Sequence, residues 1–283
     1  MSTAGEGTEA NPWVIHDVTE LREKAIVSGA FLKLANNIAC GSSPWTTIAG
    51  ISNNKSTIDF DGSKLIEPYI QENNRLFENV NVKQGKISDI TEDSFNILDN
   101  GCAGLFLNCG INDMAISASL DTFQGSGQMF TGCSIDNIRA EIEFVNKKNY
   151  GGGVTVFSNT NISDSYVKLY GNTINNRFFY GSQTITVSGT SFEGKAAYFG
   201  TFTDYSVNIY NNVFNFESSL TAHNFLTIYS WYNRHMGNNI YNSDIASYNQ
   251  LDGLKPVTET QINSPDSLLS DAINFPVNKV VLL

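Results

Sequence analysis

Three stretches of the chain superimpose without a gap: Val167-Lys-Leu-Tyr-Gly-Asn-Thr-Ile-Asn-Asn176, Ile185-Thr-Val-Ser-Gly-Thr-Ser-Phe-Glu-Gly194 and Val207-Asn-Ile-Tyr-Asn-Asn-Val-Phe-Asn-Phe216. Each reads as two alternating apolar positions, a polar turn at Gly or Asn, and a second short strand. A second set lies upstream: Leu105-Phe-Leu-Asn-Cys-Gly-Ile-Asn-Asp113, Met129-Phe-Thr-Gly-Cys-Ser-Ile-Asp-Asn137 and Val156-Phe-Ser-Asn-Thr-Asn-Ile-Ser-Asp164. Here Phe is followed by Cys or Thr three positions later, Ile after five and Asp or Asn after seven. Successive phenylalanines (Phe77, Phe106, Phe130, Phe157, Phe179, Phe199, Phe225) stand 20 to 29 residues apart.

Strands of three to five residues with no helices between them cannot form an ordinary crossover sheet. A repeat of this length carrying two or three such strands is one coil of a solenoid. Stacking coils ~4.8 Å apart pairs every strand in parallel and buries each coil's apolar face on the next. The predicted fold is therefore all-β, a single-stranded right-handed parallel β-helix. An antiparallel sandwich is the rival, but it would show turn signals every 8 to 12 residues rather than gapless rungs.

Composition supports the same reading. The 283 residues include 34 asparagines, while only 16 % are charged. Asn tolerates left-handed backbone at corners and can bond to its counterpart one rung away, whereas a ladder of like charges repels itself at every step. Asn172, Thr190 and Asn212 share one position of the first alignment and are expected to form such a corner ladder. The chain carries 28 acidic against 17 basic residues, a net charge of −11. That balance argues against nucleic acid, anionic lipid or polyuronate as a partner.

The ends depart from the repeat. Asp17-Val-Thr-Glu20 predicts a capping box opening a helix over 18–28, with Gly29 as terminator. Ser264-Pro265-Asp266 predicts a last helix turn over 268–272, and the apolar Phe275–Leu283 tail is expected to dock on a core or partner. The expected division is an N-terminal arm and capping helix (1–50), a parallel β-helix (51–250), and a C-terminal cap and docking tail (251–283). No stretch approaches the ~20 apolar residues that span a bilayer, and no signal peptide is expected at the polar, acidic start.

Gly7-Thr-Glu-Ala-Asn-Pro-Trp-Val-Ile15, the short helix, Gly29-Ala-Phe-Leu-Lys-Leu-Ala-Asn-Asn-Ile38 and Ser56-Thr-Ile-Asp-Phe-Asp-Gly62 resemble the opening of bacterial and phage surface β-helix proteins. These are pectin-lyase-like solenoids carried on cell surfaces and on virions as tail spikes, fibres and head appendages. The stretch 268–277 echoes them faintly. The resemblance covers the first 65 residues and implies a fold opening, with no active site. It also implies a virion or extracellular location and other virion proteins as partners; the apolar Val280–Leu283 end points to a homo-oligomer, a trimer by analogy with such appendages.

Several groups carry candidate chemistry. Asp113 and Asp164 share a repeat position with Asn137 between them, so they stand roughly 10 Å apart by strand spacing. An inverting glycosidase pair needs about 6.5–9.5 Å and a retaining pair about 5–5.5 Å. Asp and Asn are in any case expected at a turn. Asp204, Glu193 and Glu217 could line another face. The chain lacks the Asn-Thr-Asp, Asp-Asp, Gly-His-Gly and Arg-Ile-Lys set of polygalacturonase-like enzymes, and its five arginines form no basic cluster. Asp59-Phe-Asp61-Gly62 echoes a calcium loop but reads better as a first-coil turn. Cys109 and Cys133 share a rung position followed by Thr160, which suits an internal ladder of small residues, a disulfide being the alternative. His16, His223 and His235 are scattered, and no cofactor or metal is expected.

Tyr229-Ser-Trp231-Tyr232-Asn-Arg234-His235 is the predicted binding stretch. Aromatic faces stack on sugar rings while Arg and Asn can fix hydroxyls. The competing reading is that these aromatics cover the last coil. The expectation is thus a structural and adhesive surface protein, a phage virion component that presents a β-helix to a host-surface glycan or receptor. The alternative is a β-helix polysaccharide-degrading enzyme, a tail-spike depolymerase, lyase or glycosidase.

Overall fold

A computed structural model describes residues 4–70, 74–92, 104–121, 127–145, 154–171, 177–194, 198–202, 207–216, 226–228, 234–237, 239–242 and 254–257. Among them the strands form two sheets, of 18 and eight strands, and all registered pairings are parallel. The chain is a parallel β-helix.

The eight-stranded sheet carries the phenylalanine repeat. Its register runs Ile48, Phe77, Phe106, Phe130, Phe157, Phe179, Gly200, Leu226. The rings stack inside the solenoid at centroid distances of 5.1 Å (Phe106–Phe130), 5.2 Å (Phe130–Phe157) and 5.0 Å (Phe157–Phe179). Each buried ring contributes roughly 1.5–3 kcal/mol of transfer free energy. Five of the seven expected phenylalanine anchors stand in this column. In the last two coils the pairing places Gly200 and Leu226 there, one residue after the expected positions, and Phe225 itself lies outside the described residues.

After the strands of Phe77, Phe106, Phe130 and Phe157 the chain turns at a residue in left-handed conformation, in the column Asn79, Asn108, Gly132, Asn159. A short strand follows, then a second left-handed column of Gln84, Asp113, Asn137, Asp164, Gly189 and Asn211, with φ between 45° and 59°. Asn, Asp and Gly tolerate this backbone best, which accounts for their recurrence at fixed offsets. Between the corners, Val82, Ile111, Ile135, Ile162, Val187 and Ile209 form an in-register interior column, each at most 2 % exposed.

Beyond the second corner the coil continues into the strands that carry Met114–Leu120, Ile138–Phe144, Tyr166–Gly171, Ser191–Gly194 and Val213–Phe216. Here the sequence register needs correction. Val167 pairs with Phe192, and Ile185 pairs with Val207, so the Val167 stretch belongs to the strand class after the corner. The two classes share the same alternation and each ends at a polar turn, which is why they superimpose in sequence. The position one rung before Thr190 is held by Ser165, and Asn172 lies outside the described residues.

The N-terminal end is closed by the chain itself. Val18–Ala25 is the single α-helix among the described residues. Asp17 accepts the Glu20 amide at 2.9 Å, and the Glu20 carboxylate accepts the His16 amide at 2.8 Å. The helix ends at Ala25, three residues earlier than expected, with Gly29 (φ 65°) completing the exit turn. Leu21 and Ala25 are buried against the first coils, and the Ser56 hydroxyl donates to the Ala25 carbonyl at 2.7 Å. The parallel ladder starts at Trp13–Ile15, and strands Ile38–Ala39 and Ile48–Ala49 pair with Lys64–Ile66 and Phe77–Glu78 across the expected boundary at residue 50. At the other end, Leu254–Val257 still pairs with Asn239–Asn242. The expected helix turn over 268–272 and the apolar tail lie outside the described residues.

Candidate functional site

Of the predicted binding stretch, Tyr229, Trp231 and Tyr232 lie outside the described residues. Arg234 and His235 belong to the strand Arg234–Gly237, in register with Val207 and Asn208 respectively. Asp204, Glu217, His223 and Cys102 also lie outside the described residues.

The Asp113–Asn137–Asp164 column exists in the expected register and forms the second left-handed corner. Asn137 donates its side-chain amide to the Asp113 carboxylate. Beside it, Asp136 accepts from the Asn112 amide at 3.2 Å and from the Ser163 hydroxyl at 2.6 Å. A Cβ at Gly189 would come within 2.4 Å of the Asp164 carboxylate, so that acid sits tightly over the next corner. These acids tie one coil to the next. In the first coil, Asp61 pairs with Lys33 at 2.8 Å and Asp59 with Lys83 at 3.1 Å, and Asp59 also accepts the Asp61 amide across the turn.

Cys109, Cys133 and Thr160 form one buried column of free thiols and a hydroxyl. Each has its single proton within reach of two acceptors in the same pattern, the carbonyl two residues back and the phenylalanine-column carbonyl of the preceding coil. For Cys109 the acceptors are Leu107 at 3.3 Å and Phe77 at 3.6 Å, and for Cys133 they are Thr131 at 3.4 Å and Phe106 at 3.7 Å. For Thr160 they are Ser158 at 2.9 Å and Phe130 at 3.0 Å. Burial holds the Cys133 thiol well above the ordinary thiol range. Its role is to satisfy backbone acceptors at a corner.

A different part of the surface gathers reactive side chains. On the strands after the second corner, alternate residues point outward: Arg139, Glu141 and Glu143 on one rung, Tyr166, Lys168 and Tyr170 on the next, then Glu193. In-register pairing sets Arg139 beside Tyr166, Glu141 beside Lys168 beside Glu193, and Glu143 beside Tyr170. The Arg139 guanidinium binds Glu141 at 2.6 Å and lies 5.1 Å from the centre of the Tyr166 ring. The Tyr166 hydroxyl donates to Glu193, which also pairs with Lys168 at 3.3 Å. Burial first, then the Glu193 hydrogen bond, holds the Tyr166 phenol well above its ordinary range. It therefore keeps its proton, which it presents to the Glu193 carboxylate as a hydrogen bond. Tyr170 is 37 % exposed, and its phenol is also raised, by burial and then by Glu143 and Glu141.

Sequence reasoning reached only Glu193 of this face. The signal was present as Arg139-Ala-Glu141-Ile-Glu143 and Tyr166-Val-Lys168-Leu-Tyr170, each charged or aromatic at every second residue. Bringing the two runs together required the Arg139–Tyr166 register, which the Val167 alignment had displaced. The arrangement offers an aromatic ring at the surface, carboxylates able to accept from hydroxyls, and cations already paired within the face. Comparison with protein-family models, with curated proteins and with solved structures gives no match for this chain.

Proposed function

We propose that this chain is a structural and adhesive surface protein, a component of a phage particle such as a tail spike, fibre or head decoration. It presents its β-helix to a glycan or receptor on the host surface and joins other virion proteins, as a homo-oligomer. The observation that carries this reading is the use made of the corner carboxylates. Of the candidate pair, Asp113 accepts a hydrogen bond from Asn137 of the next coil and Asp164 sits tightly over the Gly189 corner, while the neighbouring Asp136 accepts from the coils on either side, so these corner acids serve the rod's architecture. The filled interior supports the same reading, because a stack of phenylalanines makes a rigid rod whose outer faces alone meet partners. The resemblance of residues 7–62 to phage and bacterial surface solenoids supplies the setting.

The test uses the purified full chain with intact bacterial cells and with their extracted surface polysaccharide. Retention on cells with polysaccharide chain length unchanged is the expected outcome. Shortening of the polysaccharide that stops in Asp113→Asn or Asp164→Asn would replace this reading with a depolymerase. Mass spectrometry of a purified particle tests the virion assignment separately, and light scattering that gave a monomer would contradict self-association.

A further inference from the structure

We infer that the outward face carrying Glu143, Tyr166, Lys168, Tyr170 and Glu193 is a binding site for an uncharged glycan. The inference rests on the adhesive reading and names residues other than the Tyr229–His235 stretch expected from the sequence. Alternate residues on a strand stand ~6.6 Å apart and neighbouring rungs ~4.8 Å apart, so the face is a flat grid with fixed side-chain spacing. Its floor is rigid, since Ile142, Leu169 and Phe192 are buried directly beneath it.

The chemistry selects the ligand class. Tyr170 is the one exposed large apolar side chain on this face among the described residues; the others, Ile26, Val27, Ile51 and Tyr210, lie elsewhere. A single exposed ring bordered by carboxylates is too polar for a lipid surface or an apolar helix. It suits a sugar, whose C–H face packs on the ring while its hydroxyls donate to carboxylate oxygens. Charge then disfavours polyanions. Arg139 is held by Glu141 and Lys168 by Glu193, Glu143 beside Tyr170 accepts from the Ser119 hydroxyl at 3.3 Å and is paired with no cation among the described residues, and the whole chain is at −11. An anionic polymer would meet no free cation among the described residues of this face and would be repelled at long range.

The experiment measures binding of the full chain to neutral glucan, galactan and mannan, with polygalacturonate as the anionic probe, alongside retention on intact bacterial cells. Tyr170→Ala, Tyr170→Phe and Glu143→Gln are compared, with Tyr210→Ala as a control at an exposed aromatic outside the site; thermal unfolding confirms that each is folded. The expected result is binding to at least one neutral glycan and not to polygalacturonate. Tyr170→Ala should then weaken it about tenfold, with Tyr170→Phe and Tyr210→Ala staying within about twofold. Neutral-glycan binding indifferent to Tyr170→Ala and Glu143→Gln, preference for polygalacturonate, or no binding to any glycan would each overturn the inference. If cell retention persists in those cases, the adhesive reading survives and only the site falls; if the wild-type chain is not retained on cells either, both fail.

Discussion

The side-chain amide of Asn212 donates to the side-chain oxygen of Asn239, one coil further on, at 3.0 Å. That same oxygen accepts the Asn212 backbone amide at 3.1 Å, and Asn239 in turn donates to the Ile209 carbonyl at 2.9 Å. Asn212 repeats the pattern one coil back, accepting the Thr190 amide at 3.0 Å and donating to the Val187 carbonyl at 2.9 Å. Both asparagines are at most 1 % exposed. An amide that donates and accepts at once satisfies irregular backbone on both sides of the rung. Asn212→Leu should leave these groups unpaired and cost about 1–3 kcal/mol. Asn212→Thr should cost less, because Thr190 holds the preceding rung with a hydroxyl bonded to the Ser188 carbonyl. Thermal unfolding of both variants measures the difference.

The first corner makes a parallel case. Thr160→Val removes a buried hydroxyl that bonds the Phe130 and Ser158 carbonyls and accepts the Cys133 amide, at nearly constant shape. The expected loss is about 1–3 kcal/mol. Thr160→Cys should lose less, since the Cys109 and Cys133 thiols have the same two acceptors within reach in the preceding coils. Denaturant midpoints at unchanged slope would establish the order.

Much of this architecture was legible in the sequence. Phe106, Phe130 and Phe157 with Ile111, Ile135 and Ile162 align by eye because each coil repeats them at one offset, and the structure pairs them residue for residue. The Val167 register was not legible, because the strands on either side of the second corner follow the same alternation. The offset at Phe199 and Phe225 has a similar origin, since a chain with adjacent apolar residues such as Tyr198-Phe199 does not announce its inward face. The outward grid was hidden for a further reason. Arg139 and Tyr166 are 27 residues apart, and only the correct register makes them neighbours.

Alkaline pH should expose the Tyr166 environment. Its phenol is raised in the folded chain by burial and by Glu193, so the folded state holds that proton more tightly than the unfolded state does. The associated stability is complete below the unfolded value of about 10 and is lost as pH rises above it toward the folded value. Wild-type melting temperature should therefore fall more steeply between pH 9 and 11 than that of Tyr166→Phe. Equal slopes would remove Tyr166 from the account of alkaline unfolding.

Cys40 offers a chemical readout of the N-terminal cap. Burial pushes its thiol up to about 12, with the Arg22 charge opposing. At pH 8 the thiolate fraction, and with it the alkylation rate, should be roughly a thousandfold below that of an ordinary cysteine. Peptide mass spectrometry after iodoacetamide should find Cys40 unmodified in the native chain and modified once urea is added.

The stacking of coils in a fixed parallel register is tested most directly by paired cysteines on the outer face. Glu141 and Lys168 are register partners, which places their Cα atoms ~4.8 Å apart, within disulfide reach. Glu141 and Tyr170 are offset by two residues and stand ~8 Å apart, beyond that reach. Under mild oxidation the Glu141→Cys/Lys168→Cys chain should form an intramolecular disulfide, identified by peptide mapping, while Glu141→Cys/Tyr170→Cys should remain reduced. Oxidation of the offset pair in preference to the in-register pair would contradict the parallel register and, with it, the ladders and the outward face built on it.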